Sequence, residues 1–475
     1  MSVFIMLCWL QSSGQHLSDV WELGGQLSAN KPAATFINGD PEVYVEQRKM
    51  VMFITNGSIC DTTGNLLFYT NGQYIANKNH DTLKNSQDFN PGYATDVYYF
   101  AGLGITEGIV IIPKPEHSAF FSLFYVTFDQ IEVNSIFITQ PLHLSYSEID
   151  ISKDNGLGEM TLKNLFLIED TLTQGLLTAS KHANGRDWWI ISHEYSTNRF
   201  YSWLLAPDTI KGPFSQWIGI DIDYDAISQA NFSPDGSKYS MVNHIQNTVS
   251  ILDFDRCTGQ FSNALVDSGF AMSVLDGCAF SPNSRFLYVS DPLALWQYDM
   301  YATNVVGSRI QIADWDGSED PLETWFFYMQ IAPDNKIYMS TKNGCESMHV
   351  INEPDSLGLA CNFVQMGLEL PKVNASIPYF PNYDLGPLPG SSCDTLYTNL
   401  DSHTTNHEFR IYPNPANSWL NIVYTQQIDA VFELFDLYGR RVAAMGLYHY
   451  FKSRLLDVSE SSPSTIVSKL SNAGW

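Results

Sequence analysis

Hydrophobic and polar positions alternate along this chain in short runs, and the runs recur behind a common turn. Ile337-Tyr-Met-Ser340 places Ile337 and Met339 on one side and Tyr338 and Ser340 on the other, the period of two expected of a strand. The residues before it, Ile331-Ala-Pro-Asp-Asn-Lys336, form a turn signature. Phe232-Ser-Pro-Asp-Gly-Ser-Lys-Tyr239 and Phe280-Ser-Pro-Asn-Ser-Arg-Phe-Leu-Tyr288 repeat it, and Pro234, Pro282 and Pro333 are 48 and 51 residues apart. Proline fixes φ at the start of such a turn, and Asp, Asn or Gly tolerates the bend that follows.

Weaker copies lie upstream: Asp61-Thr-Thr-Gly64 before Leu66-Leu-Phe-Tyr69, Lys114-Pro-Glu-His117 before Leu123-Phe-Tyr-Val126, and His182-Ala-Asn-Gly185 before Trp188-Trp-Ile-Ile191. The turns then fall near 64, 117, 185, 236, 284 and 335. The long gap after 117 predicts an insertion around Ile131–Leu142. A second strand follows each turn strand, as in Val249–Asp255, Leu295–Asp299 and Met348–Asn352. Short strands recurring with a period near 50 residues predict β-propeller blades, whose radial repetition leaves only short sheet edges. Six units, with a seventh closed by the strands before Asn56 together with Pro371–Tyr383, give an all-β fold of about seven blades over residues 16–385.

Composition agrees with sheet: aromatics are 13% of the chain and charged residues 16%, a balance that suits pleated faces better than helical bundles. The formal charge of −26 repels phosphate backbones, so no nucleic-acid partner is expected. Val3–Leu10 is apolar and Gln11-Ser-Ser-Gly14 follows it, so residues 1–15 are expected to be a secretory signal peptide. No other stretch reaches the roughly 18 apolar residues of a membrane span.

Six cysteines remain beyond such a signal: Cys60, Cys257, Cys278, Cys345, Cys361 and Cys393. An even number in an exported chain predicts disulfides. Cys345 with Cys361, which flank one strand and turn, is the first expectation, and Cys257 with Cys278 the second. None sits in a CxxC pair, which argues against zinc.

Gly386–Asp394 is rich in Pro, Gly and Ser, and periodicity stops there, so 386–408 reads as a linker. Beyond it come Phe409-Arg-Ile-Tyr412-Pro413-Asn414-Pro415-Ala-Asn417, Leu420-Asn-Ile422 and Leu437-Tyr438-Gly439-Arg440. These predict strands around a Pro-Asn-Pro turn and a Tyr-Gly bend, hence a small β-sandwich over 409–475. This combination resembles the type A C-terminal sorting domain of the type IX secretion system of Bacteroidetes. The resemblance implies a protein secreted or attached to the outer cell surface, with the secretion machinery as partner. Ser462–Lys469 lacks the Pro-Gly-x-Tyr turn of that family, so the last strand is expected to be atypical. Gly64–Gly72, Lys181–Trp188, Phe380-Pro-Asn-Tyr383 and Cys393-Asp-Thr-Leu396 resemble WD40- or YVTN-like propellers that precede such domains. That resemblance implies a scaffold and no particular activity.

Candidate chemistry is sparse. His193-Glu194 lacks the second His of HExxH, because position 197 is Thr197, and it lies on a strand rather than a helix. A satisfied strand histidine is expected. Asp314, Asp316, Glu319 and Asp320 are a calcium candidate, with Asp221, Asp223 and Asp225 behind them, although neither cluster has the order of an EF-hand loop. No nucleophile elbow, Walker loop or dinucleotide fingerprint appears, so catalytic residues are unassigned and no organic cofactor is expected. The expected function is a binding scaffold for an extracellular glycan or protein, with its site on one face near the central channel. The alternative is an extracellular hydrolase or lyase acting on polysaccharide or peptide at the channel mouth. A quinoprotein-like redox propeller would need a cofactor site that the sequence does not display.

Overall fold

The computed structural model describes residues 16–133, 135–222, 228–270 and 274–394, and then six strands between Phe409 and Asn472. Two compact units divide the chain after Leu396. In the first, seven antiparallel sheets follow one another along the sequence. Their first strands are Val20–Glu22, Gly57–Cys60, Ile109–Pro113, Thr178–Lys181, Ala230–Phe232, Gly277–Phe280 and Phe326–Ile331. Blades one and two have three strands and the other five have four. The first strands pack beside one another from blade one to blade three and from blade four to blade seven. This is the seven-bladed propeller.

The repeated motif closes the same turn in six blades. In blade five Ser233 N–H donates to Lys238 O at 2.9 Å and Gly236 N–H to Ser233 O at 2.7 Å. Blades six and seven repeat this with Ser281, Phe286 and Ser284, and with Ala332, Lys336 and Asn335. One residue in each turn is left-handed: Gly64, Glu116, Gly185, Gly236, Ser284 and Asn335 have φ of 85°, 61°, 74°, 70°, 62° and 63°. Glycine enters that region freely and Asn at modest cost, which explains why the motif varies in sequence while its geometry does not. All six turns join the first strand of a blade to its second, so they share one face of the ring, here called the turn face. The expected insertion is present as a hairpin of Asp129–Val133 and Ile136–Gln140 between the second and third strands of blade three.

The ring closes between the N-terminal strands and the chain from Pro371 to Tyr383, although the two share no sheet. The N-terminal strands form blade one alone, and the chain after Phe363–Asn374, the outer strand of blade seven, leaves the sheet. Blades seven and one are joined by side chains instead. Trp21 and Phe36 each meet the Tyr338 ring at 5.7 Å, and Asn374 Oδ1 accepts from Gly24 N–H at 2.9 Å.

The segment after Asn374 runs through the ring. Ser376 Oγ accepts from Asn56 Nδ2 at 3.1 Å in blade two. Phe380 N–H donates to Gln330 Oε1 at 3.3 Å in blade seven, and Tyr383 O–H to Ile111 O at 2.8 Å in blade three. Lys181 Nζ of blade four donates to Tyr383 O at 2.6 Å, and Asn382 Nδ2 to Pro234 O of blade five at 2.7 Å. Phe380 also packs on Trp21 of blade one, at 6.2 Å. A single strand of chain that touches the inner edges of six blades can only lie on the axis. Ile377, Tyr379, Phe380 and Tyr383 are buried there in the main core, and full burial of one such apolar side chain contributes about 1.5–3 kcal/mol.

The expected linker therefore begins as part of the propeller. Leu388 N–H donates to Ala183 O at 2.8 Å, Arg256 Nη2 to Gly386 O at 2.5 Å, and Cys393 is disulfide-bonded to Cys257. Neither expected pairing forms. Cys345 and Cys361 are free and buried, because they stand at opposite ends of the strand Cys345–Ile351, about 20 Å long at 3.3 Å per residue. Cys278 lies on the inner strand of blade six with Sγ toward Gln229 O, whereas Cys257 sits in an outer turn.

In the second unit, Phe409–Tyr412, Trp419–Tyr424 and Ser453–Asp457 form one antiparallel sheet, and Arg441–Leu447, Ala430–Phe435 and Val467–Asn472 a second. Ile422 and Leu456 of the first sheet and Phe432 and Leu447 of the second are buried, as a two-layer sandwich requires. A last strand is present, pairing Val467–Asn472 with Ala430–Phe435.

Candidate functional site

The two ends of the axis offer different surfaces. At the end opposite the turns, Glu107 is fully buried and accepts from Ala230 N–H at 3.1 Å. Burial pushes its carboxyl well above the usual range. Gln229 bridges three blades, donating to Met329 O at 2.7 Å and accepting from Met329 N–H and Cys278 N–H at 3.0 Å each. Thr106 and Tyr328 share a hydroxyl contact of 2.5 Å. These groups seal the axis with satisfied hydrogen bonds.

At the turn face the axial segment emerges beside a pocket of ≈ 540 Å³. The repeated turns build its wall, because each sets an apolar residue and a proline at the same height: Phe232 and Pro234, Phe280 and Pro282, Ile331 and Pro333. Phe380–Asp384 of the axial segment form a second wall, and His16–Asp19 with Phe36 and Ile37 of blade one a third. Several polar side chains here hold the wall itself. Asn231 Nδ2 donates to Cys278 O at 2.6 Å, and Gln330 fastens Phe380.

Asp19 is the most buried acid of the pocket, 2% exposed. Its Oδ2 is 2.7 Å from His16 Nδ1. Burial raises its pKa, His16 opposes that shift, and the charge of Asp384 adds to it. Behind the segment, burial brings Lys181 down to about 8, with Asp384 opposing.

The sequence candidates fall elsewhere. His193 is buried, its Nδ1 is 2.7 Å from Glu194 O, and burial lowers its pKa to about 4, which makes it a neutral core histidine. Asp314, Asp316, Glu319 and Asp320 follow one another around a turn, and nearby donors engage the first two. Asp316 Oδ1 accepts from Ser318 N–H at 2.9 Å and Asp314 Oδ1 from Gln311 Nε2, while Glu319 and Glu323 pair through their backbones. Among the described residues no three His, Cys, Asp or Glu side chains are placed to hold a metal ion. Of the calcium candidate, Asp314 and Asp316 each give one carboxylate oxygen to these hydrogen bonds, and its four acids form no such group. Of the second cluster, Asp223 and Asp225 lie outside the described residues, as do residues 1–15.

The axial segment and Asp19 were not foreseen as site residues. A usable signal was present in Ile377-Pro-Tyr-Phe-Pro381, an apolar run with two prolines and no alternation, which cannot be a ladder strand.

In the second unit Tyr412 ends the first strand; Pro413, Asn414, Pro415, Asn417, Leu437, Tyr438, Gly439 and Arg440 lie outside the described residues. Residues 410–464 match the family described as secretion system C-terminal sorting domain. The chain carries a secretion sorting domain. That domain marks proteins secreted and attached to the cell surface, and it implies contact with the secretion machinery. Among the described residues no helix is long and apolar enough to cross a membrane.

No match was found among curated proteins. Similar solved structures include a periplasmic gluconolactonase from Pseudomonas aeruginosa, at 11% identity and TM-score 0.42 over 75% of this chain and 98% of that one. A protein from Lactobacillus plantarum matches at 11% identity and TM-score 0.37, over 92% and 98%. A nidogen–laminin complex matches at 8% identity and TM-score 0.36, over 76% and 96%. Likeness at that level carries neither activity nor ligand to this chain.

Proposed function

We propose that this cell-surface propeller is a binding scaffold for an extracellular glycan or protein, with the turn-face pocket as its ligand site. One observation carries the reading: the chain's own segment fills the axis, so the concavity at the hub is the ≈ 540 Å³ pocket walled by three repeated turns. Its volume lies in the range of ordinary ligand sites, and loops held by a rigid ring are where such folds place recognition. Asn231 and Gln330 are occupied in fixing the walls, which gives a preformed shape rather than a set of free catalytic groups.

The test uses the full chain on glycan and extracellular-protein arrays beside Ile37→Trp. Ile37 is 43% exposed, so the larger ring fills the pocket mouth without entering the core. Binding by the native chain that the variant loses is the expected result. Turnover of a polysaccharide or peptide that Ile37→Trp abolishes would replace the scaffold with the hydrolase or lyase reading. Binding that ignores the substitution would remove the pocket from the account.

A further inference from the structure

We propose that the turn-face pocket receives a basic side chain, lysine or arginine, presented by an extended segment of a partner protein. The inference rests on that pocket being the ligand site.

Charge is the first ground. Asp19 and Asp384 line the pocket, and its described lining contains no lysine or arginine. A concave wall of low dielectric focuses such a field outward. His16 is the one basic group among the described lining residues, and it already leans on Asp19 at 2.7 Å, a contact that a stronger cation would replace. Lys181 stands behind the segment with Nζ on Tyr383 O. It offsets part of the charge of Asp384 from the core side.

Wall chemistry is the second ground. Pro234, Pro282 and Pro333 with Phe232 form an apolar rim. Lysine and arginine lay their methylene stems along such surfaces while the charged head reaches a carboxylate. An amino sugar carries its cation on a ring without that stem. The pocket is also larger than one side chain needs, which leaves room for the flanking backbone of an extended segment.

The full chain is titrated by calorimetry with tetralysine, tetra-arginine, acetylated tetralysine and a glucosamine tetramer, at low and high salt. Tetralysine and tetra-arginine are expected to bind and acetylated tetralysine to fail. High salt should weaken the complexes. Asp384→Asn, at an exposed position, should weaken them about tenfold or more, and Ile37→Trp should remove them. Melting curves matching the native chain confirm that both variants are folded. Failure of both basic peptides to bind overturns the inference, and so does a stronger glucosamine complex. Peptide binding unchanged in Ile37→Trp means adhesion to the acidic surface and also overturns it. A neutral array ligand lost in Ile37→Trp but unaffected by Asp384→Asn overturns the cation while leaving the pocket as the site.

Discussion

At one end of the axis Glu107 and Gln229 cross between blades to backbone partners, and Thr106 meets Tyr328. At the other, Phe380 packs on Trp21 and Tyr383 on Trp188, and a pocket is left beside them. The polar end closes because hydrogen bonds have fixed lengths and draw the inner strands together. The aromatic end fills volume without meeting every blade equally, since a single chain leaving a seven-fold ring must depart to one side. It goes toward blades four and five, where Ala183 and Cys257 hold it. The space left beside it, bordered by blades one, five, six and seven, is the pocket. Asymmetry of the exit, rather than any specialised blade, creates the site.

The largest expected effect comes from emptying the aromatic end. Tyr383→Ala should cost about 3–5 kcal/mol in denaturant unfolding, with loss of the hydrogen bond to Ile111 O in addition. A loss below about 1 kcal/mol would mean that the axis is not packed. The joint variant Cys257→Ser with Cys393→Ser should cost about 2–5 kcal/mol. The native chain with its disulfide reduced should melt with it, and a melting temperature unmoved by reduction would show that the tether does not hold the exit.

The polar end responds to pH instead. The carboxyl of Glu107 is raised in the folded chain, so the folded state binds its proton more tightly than the unfolded state. That advantage is complete below the unfolded value near 4.5 and is lost as pH rises through the folded value. Native stability minus that of Glu107→Gln should therefore fall as pH rises above about 5, with a slope of at most about 1.4 kcal/mol per pH unit. A flat difference from pH 5 to 8 would mean that Glu107 is solvated. Smallest is the effect within the turns. Ser233 Oγ accepts from Lys238 N–H at 2.9 Å and donates to Asp235 Oδ1 at 2.6 Å, so Ser233→Ala should cost about 0.5–1.5 kcal/mol. Blade seven already carries Ala332 there, and equal stability of Ser233→Ala and the native chain would show the hydroxyl to be ornamental.

The ring was legible because each blade repeats a local code: Phe-Ser-Pro-Asp-Gly and its variants specify one turn wherever they occur. The sorting domain was legible as a combination of motifs. The axial course of Ile377–Tyr383 was not, because its contacts join residues up to 359 positions apart, as between Trp21 and Phe380, and no local pattern encodes them. The Cys257–Cys393 bridge was missed for the same reason, since it depends on that course. Asp19 is placed by the exit beside it and has no signature of its own.

Hydrogen exchange across residues 375–386 tests the axial course most directly. Tyr379 N–H donates to Asn56 O and Phe380 N–H to Gln330 Oε1, inside the ring. These amides should exchange as slowly as those of the inner strand Gly277–Phe280, opening only with the propeller. Exchange at the rate of a free linker would contradict the threaded axis, and the pocket built on it would go with it.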